Sequence, residues 1–284
     1  MSESDASDAS DGGETDDAGT DGDGDDGDDG EEGWPEEAIE LVQAIADTKF
    51  VLSQRYAEWM LAGPSLEDDI GGASAAQDEA GHVRQLFRLL AGEGREQGWL
   101  EGNREPAEFA NAAPLDAASG SWTDHLVSVA VSDRAAWYLL DSIVHEDFSG
   151  LGEKIGEDEF FHLEYHDARL ETLAADEPRA LQSALRRTLP GALAFIGPAD
   201  YDDGADPLVD TGFTDRSVTA IREGFLAYFD DCFAGTDVSL DAIDRHAPEI
   251  DEWNGTRRRV GEGEIEASTL DQLTGRKNEL YRIQ

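Results

Sequence analysis

The sequence predicts an all-α fold built around four long amphipathic helices. Apolar residues recur at alternating steps of three and four in four segments, which is the spacing of one helix face. These segments cover about residues 36 to 62, 66 to 91, 123 to 146 and 152 to 174. No segment alternates between apolar and polar residues as a strand does, and no solenoid-like repeat is present.

The first two helices are predicted to form an antiparallel hairpin. Pro35 opens the first helix, because proline at an early helical position loses no hydrogen bond. The Gly-Pro dipeptide at 63–64 ends this helix, and Ser65 is the predicted N-cap of the second. Asp68, three residues later, completes a capping-box pattern.

A long crossover rich in Gly, Asn, Pro and Ala follows the second helix over about residues 92 to 121, and one short helix is expected within it. Such a crossover is typical of ferritin-like four-helix bundles. Past the fourth helix, a fifth is predicted over about residues 179 to 198, either ended by Pro190 or continuing in broken form. Another helix is predicted over about residues 214 to 234.

Composition divides the chain into three predicted regions. Residues 1–33 contain 15 of the 65 acidic side chains, no Lys or Arg and almost nothing apolar, so this tail is predicted to be disordered. Residues 34–198 are the predicted ferritin-like bundle. Residues 199–284 are a predicted C-terminal helical extension, with weak signals after about residue 238.

The net charge of −44 comes from 65 acidic residues against 21 basic ones, of which only three are lysine. We interpret this composition as adaptation to a salt-rich cytosol, where dense carboxylates hold water and salt screens their repulsion. The same charge argues against nucleic acid and anionic membrane surfaces as partners. A single cysteine, Cys232, excludes an intramolecular disulfide, and neither a signal peptide nor a membrane-spanning run is recognisable. We therefore expect a cytoplasmic enzyme or enzyme subunit.

Two Glu-x-x-His pairs carry the chemistry, Glu79/His82 on the second helix and Glu159/His162 on the fourth. Residues three apart on a helix share a face and can bind the same metal ion. One pair alone would arise easily by chance in so acidic a chain, but each pair continues an apolar stripe, and buried carboxylates need partners. The layout predicts a two-metal carboxylate centre, for which iron is the usual metal.

The third helix offers Asp133, which replaces an apolar residue on its inner stripe, as a further metal ligand. The alternative is an aspartate at the bundle edge, paired with Arg134 or another arginine. His166, one turn after His162, is expected to be a hydrogen-bonding or packing residue.

The first helix breaks the pattern, because Lys49 stands where such a bundle would place a carboxylate. A protonated lysine does not bind metal, but it could form a buried ion pair with Glu79 or Glu159. Asp47 and Glu58 are alternative ligands, and Glu58 is more simply explained by pairing near the hairpin end.

Several segments resemble the phenylacetyl-CoA monooxygenase family, the ring 1,2-epoxidases of phenylacetic acid catabolism. Segment 64–82, which reads Pro-Ser-Leu, ten residues and Gln-Asp-Glu-Ala-Gly-His, is similar to the catalytic subunit, as is Asp-Glu-Phe-Phe-His at 158–162. Gln-Arg-Tyr-Ala-Glu-Trp at 54–59 and Leu-Glu-Asp-Asp-Ile at 66–70 resemble the paralogous structural subunit. The likeness spans about residues 36 to 235.

This resemblance implies a subunit, catalytic or structural, of a multicomponent di-iron oxygenase that epoxidises the aromatic ring of phenylacetyl-CoA with O₂. The implied partners are a paralogous oxygenase subunit, a reductase component and an aromatic acyl-CoA substrate. Two iron ions would be bound by Glu79, His82, Glu159 and His162. Asp133 is a looser match to the family's ligand on the third helix.

The first-helix glutamate of the catalytic subunit falls on Lys49, which suits the degenerate metal site of the structural subunit. A different possibility is an iron-storage or peroxide-scavenging relative of ferritin or rubrerythrin, although the rubredoxin Cys-x-x-Cys pair is missing. A redox-inert helical interaction protein is a further alternative.

Overall fold

Helices dominate the computed structural model, which describes residues 33–202 and 204–275. The helices are α1 (Glu36–Trp59), α2 (Leu66–Gly92), α3 (Gln97–Leu100), α4 (Trp122–Leu140), α5 (Ser149–Asp176), α6 (Pro178–Ile196), α7 (Pro207–Asp210), α8 (Val218–Cys232) and α9 (Ala267–Leu273). Strands β1 (Trp253–Asn254) and β2 (Arg259–Val260) form one antiparallel pair. The predicted all-α, ferritin-like fold is confirmed, while the predicted disordered tail lies outside the described residues except for Gly33.

The α1–α2 hairpin forms as predicted, with the two helices antiparallel. Ser65 Oγ accepts a hydrogen bond from the Asp68 N–H, and the Asp68 carboxylate accepts one from the Ser65 N–H at 3.1 Å, so the capping box is confirmed. Helix α1 ends at Trp59 and not near residue 62. It ends early because the Gly63 N–H donates a hydrogen bond to the Asp69 carboxylate at 3.0 Å, which stabilises a turn in place of further helix.

The prediction for the end of the third helix was wrong, because α4 ends at Leu140 and not near residue 146. The backbone beyond it pairs with a distant segment instead. The Val144 N–H donates to the Phe213 carbonyl at 3.0 Å, and the Asp215 N–H donates to the Ser142 carbonyl at 2.9 Å. Val144 is therefore 55% exposed and lies outside the helical stripe.

Helix α6 continues through Pro190 and ends before Gly197, whose φ of 137° is available to glycine. Two buried arginines satisfy its last carbonyl groups, Arg222 at the Leu193 carbonyl (2.6 Å) and Arg258 at the Phe195 carbonyl (2.8 Å). The crossover contains the expected short helix, α3, and two 3₁₀ turns. The β1–β2 pair was not predicted, since two residues per strand are too few to show alternation.

Helices α1, α2, α4 and α5 surround the candidate site. Helix α4 is buried on almost all sides because it packs against α1, α5, α6 and α8. Helices α2 and α5 keep one face in solvent. Within the described part of the chain, no helix combines the length and the apolar character that crossing a bilayer requires. The predicted boundary between residues 198 and 199 stays a prediction.

Candidate metal centre

One lysine and three carboxylates, one from each of the four surrounding helices, lie in the middle of the bundle and are fully buried. They are Lys49 from α1, Glu79 from α2, Asp133 from α4 and Glu159 from α5. We call Glu79, Asp133 and Glu159 the carboxylate cluster.

The Lys49 ammonium contacts every member of the carboxylate cluster. Its Nζ lies 3.1 and 3.2 Å from the two oxygens of Glu79. It lies 3.4 Å from Asp133 Oδ1 and donates to Glu159 Oε1. The structure thus contains the predicted buried ion pair of Lys49, formed with both glutamates and with Asp133 as well.

Two histidines complete the site, and a reciprocal pair of aspartates orients them. His82 Nε2 lies 3.1 Å from Asp158 Oδ2, and His162 Nε2 lies 3.4 Å from Asp78 Oδ2. The contacts are crossed between the two motifs. Asp158, which contacts His82, immediately precedes Glu159, and Asp78, which contacts His162, immediately precedes Glu79. Because the outer ring nitrogen is held in this way, Nδ1 of each imidazole faces the carboxylate cluster.

The inner imidazole nitrogens lie at ligand spacing from the carboxylates. His162 Nδ1 is 3.7 Å from Glu79 Oε1, 3.7 Å from Asp133 Oδ2 and 3.9 Å from Glu159 Oε2. These distances exceed a hydrogen bond, but metal bonds of about 2.0–2.2 Å place two ligands of one ion roughly 3–4 Å apart. Glu79, Asp133, Glu159 and His162 could therefore bind a metal ion, since ligand atoms from all four lie within 4.8 Å of one another.

Burial and charge shift the protonation of the site in opposite directions. Burial and the neighbouring Asp133 carboxylate raise the pKa of Glu159 to about 8. Burial opposes charge on Asp133, yet Lys49 outweighs it and holds the Asp133 pKa well below its usual value. Burial lowers the pKa of His162, and the nearby carboxylates outweigh that effect and raise it to about 11. The site thus favours additional positive charge beside the carboxylates.

Tyr56 on α1 was not predicted as a site residue, but it joins the site through its hydroxyl. The hydroxyl donates to Asp133 Oδ2 at 3.1 Å and lies 2.8 Å from His166 Nε2. His166 is fully buried and holds this position without contacting the carboxylate cluster directly. Asp78 and Asp158 were also missed, although the repeated Asp-Glu-x-x-His pattern was a signal that could have found them.

The alternative ligands considered on α1 have other partners. Asp47 binds the Arg104 guanidinium, with one contact at 2.9 Å, and accepts the Ala110 N–H at 2.9 Å. Glu58 pairs with Arg55 at 3.0 Å near the end of α1. Neither residue reaches the carboxylate cluster, so Lys49 and Tyr56 are the α1 side chains that bond to it.

Arg134, the alternative partner considered for Asp133, does not bind it. Its guanidinium contacts Asp167 at 2.5 Å, whereas Asp133 is fully buried beside Lys49. Asp133 therefore belongs to the centre of the bundle and not to its edge.

A complete two-iron centre does not fit these residues. The Lys49 ammonium lies against all three carboxylates, in the space that a second ion would need. It also supplies no ligand, because a protonated amine has no free electron pair. The side chains fit at most one metal ion beside His162.

The fold and the site together define a ferritin-like carboxylate bundle with a lysine at its centre. The chain matches the family model of the phenylacetic acid catabolic protein over residues 23–250. This match covers most of the chain, so the chain belongs to that family and has a role in phenylacetate catabolism. No curated protein matches the chain.

Proposed function

We propose that the chain is the non-catalytic, structural subunit of a multicomponent di-iron oxygenase that epoxidises the ring of phenylacetyl-CoA with O₂. Family membership supports the pathway. The contact of Lys49 with all three carboxylates carries the choice of subunit. Two irons close together are what this class of site uses to reduce O₂, and here an ammonium replaces at least one of them.

The Lys49 cluster has a structural purpose in this proposal. Three carboxylates buried in the middle of a bundle repel one another and are costly without counter-charges. An ammonium with three donors compensates them and connects α1, α2, α4 and α5 at one level. The bundle keeps the shape of a di-iron protein while needing no second iron.

The partners proposed are a paralogous subunit with a complete set of iron ligands and a reductase that supplies it with electrons. Two adjacent aromatic side chains on α5 support an assembled state, since Phe160 is 58% and Phe161 70% exposed. Exposed aromatic side chains are characteristic of protein interfaces. The aromatic acyl-CoA would react on the paralogue, and the complex would operate in the salt-rich cytoplasm that the acidic composition suits.

Reconstitution with the paralogue tests this function. The chain, the paralogue and the reductase are purified in molar salt and assayed singly and together for O₂-dependent conversion of phenylacetyl-CoA. We expect conversion only when chain and paralogue form a complex, and loss of conversion when the paralogue's Glu-x-x-His motif is changed. Conversion by this chain with reductase alone would reject the structural role, and failure to associate with the paralogue would reject the complex.

A further inference from the structure

We propose that this chain binds one divalent transition-metal ion on the His162 side of the carboxylate cluster, with the Lys49 ammonium in place of a second ion. The inference goes beyond the proposed function and does not depend on it. It rests on how the carboxylate oxygens are shared, on two buried atoms without hydrogen bonds, and on the charge of the cluster.

The carboxylates divide their oxygens between Lys49 and His162. Asp133 directs Oδ1 to Lys49 Nζ (3.4 Å) and Oδ2 to the His162 side. Glu159 directs Oε1 to Lys49 and Oε2 to the His162 side. Glu79 Oε1 faces both groups, at 3.1 Å from Nζ and 3.7 Å from the imidazole nitrogen. Each carboxylate therefore bridges an ammonium and a second position beside His162.

Two ligand atoms at that second position lack hydrogen bonds. His162 Nδ1 and Glu159 Oε2 are buried, and neither finds a hydrogen-bond partner among the described residues. A buried polar atom without a hydrogen bond destabilises the folded state. His162 Nδ1 and Glu159 Oε2 lie 3.9 Å apart, so one metal ion between them would bind both atoms.

The charge of the ionised cluster also suits a divalent ion. Three carboxylates face one ammonium at complete burial, which leaves two negative charges in excess when all three are ionised. A divalent ion bound by neutral His162 restores neutrality without extra protons. The dense carboxylate set is thus matched to an ion of charge two and not to a monovalent one.

The His82 side is different, although the two motifs are alike in sequence. His82 Nδ1 also lacks a hydrogen bond in the described structure. However, the oxygens nearest to it, Glu79 Oε2 at 3.7 Å and Glu159 Oε1 at 3.8 Å, are both bonded to Lys49. Among the described residues, each carboxylate oxygen near His82 Nδ1 is bonded to Lys49, whereas His162 Nδ1 also faces Asp133 Oδ2 and Glu159 Oε2, which are not. The proposed site is therefore mononuclear and asymmetric.

One imidazole and three carboxylates suit Mn²⁺, Fe²⁺ or Zn²⁺. Mn²⁺ is the probe we choose, because an isolated Mn²⁺ and a coupled pair have different electron paramagnetic resonance spectra. The full chain is stripped of metal and dialysed to equilibrium against Mn²⁺ in molar KCl, which screens the many surface carboxylates. The same measurement is made on His162→Gln and on the matched control His82→Gln, with folding checked by circular dichroism.

We expect one tightly bound Mn²⁺ per chain with the six-line spectrum of an isolated ion. His162→Gln loses this ion, whereas His82→Gln retains it. If His162→Gln does not fold, the measurement is made on Asp78→Asn, which removes the partner of His162, and on Asp158→Asn, which removes the partner of His82. Only Asp78→Asn should weaken Mn²⁺ binding, by about 10–100-fold.

Absence of a bound ion in the unmutated chain above the surface background overturns the inference and leaves the proposed function intact. Equal loss in both variants of a pair overturns the asymmetric site. Two ions with a coupled spectrum overturn both the inference and the structural-subunit proposal.

Discussion

Lys49 Nζ lies 3.1 Å from Glu79 Oε1, with both side chains fully buried in the middle of the bundle. The first Glu-x-x-His motif of the chain is therefore engaged by an ammonium from the neighbouring helix of the same hairpin. The motifs are typical of this type of bundle, and Lys49 places a positive charge among their carboxylates.

Removal of the ammonium should destabilise the fold. Lys49→Met leaves the carboxylate cluster without its main counter-charge, and breaking one partner of a buried ion pair costs about 3–5 kcal/mol. The free energy of unfolding from chemical denaturation of metal-free protein measures this loss. Lys154→Met is the matched control, because that side chain is 72% exposed and makes only a surface pair, and it should change nothing measurable. Equal stability of both variants would contradict the role given to Lys49.

Replacement of Lys49 by glutamate should create room for a second ion. Lys49→Glu removes the ammonium and adds a carboxylate at the level of Glu79, so His82 gains free carboxylate oxygens nearby. We expect the metal content to rise from one ion to two per chain, measured by elemental analysis after dialysis against Fe²⁺ without oxygen. A variant that folds in metal but binds no more ions than the unmutated chain would contradict the account.

Acid should destabilise the protein through His125. Burial lowers the pKa of this imidazole from about 6.5 to about 3, so between these values the unfolded chain binds a proton that the folded chain does not. The stabilisation is complete above pH of about 6.5 and is lost as the pH falls towards 3, by up to about 5 kcal/mol. His125→Phe, which keeps a ring stacked on Trp59, should lessen this loss in pH-dependent denaturation. His246→Phe is the exposed control, and an equal effect from both would rule His125 out.

Arg104 should not tolerate lysine. Its guanidinium binds both oxygens of Asp47 and lies 3.8 Å above the Phe109 ring, in a fully buried pair. Lysine cannot reproduce two parallel hydrogen bonds and flat stacking, so Arg104→Lys should cost about 2–4 kcal/mol in thermal or chemical unfolding. The surface pair of Arg95 with Glu36 provides the comparison, and Arg95→Lys should be nearly neutral.

The sequence was sufficient to predict the bundle and most of its centre. The three-residue spacing of Glu79 and His82, and of Glu159 and His162, places the two residues of each pair on one helix face. The apolar stripes that contain these pairs predicted that the faces point inwards, and all four side chains are buried. The capping box at Ser65 is equally local and was predicted with its partner.

What the sequence could not supply depends on contacts between distant segments. The end of α4 depends on the backbone hydrogen bond between Val144 and Phe213, and a local sequence pattern cannot predict a contact between residues so far apart in the chain. The crossed contacts of Asp78 and Asp158 require knowing that α2 and α5 run antiparallel at matching levels. Tyr56 fits an apolar stripe, and only the bundle shows that its hydroxyl reaches Asp133.

We propose that Lys49 occupies one of two cation positions in the carboxylate cluster. Crystals of the full chain grown with Mn²⁺ and measured at the manganese absorption edge test it most directly. We expect one anomalous peak, beside His162 Nδ1, and electron density for the Lys49 side chain that extends to its contacts with Glu79 and Glu159. Two peaks, with Lys49 displaced from the carboxylates, would contradict it.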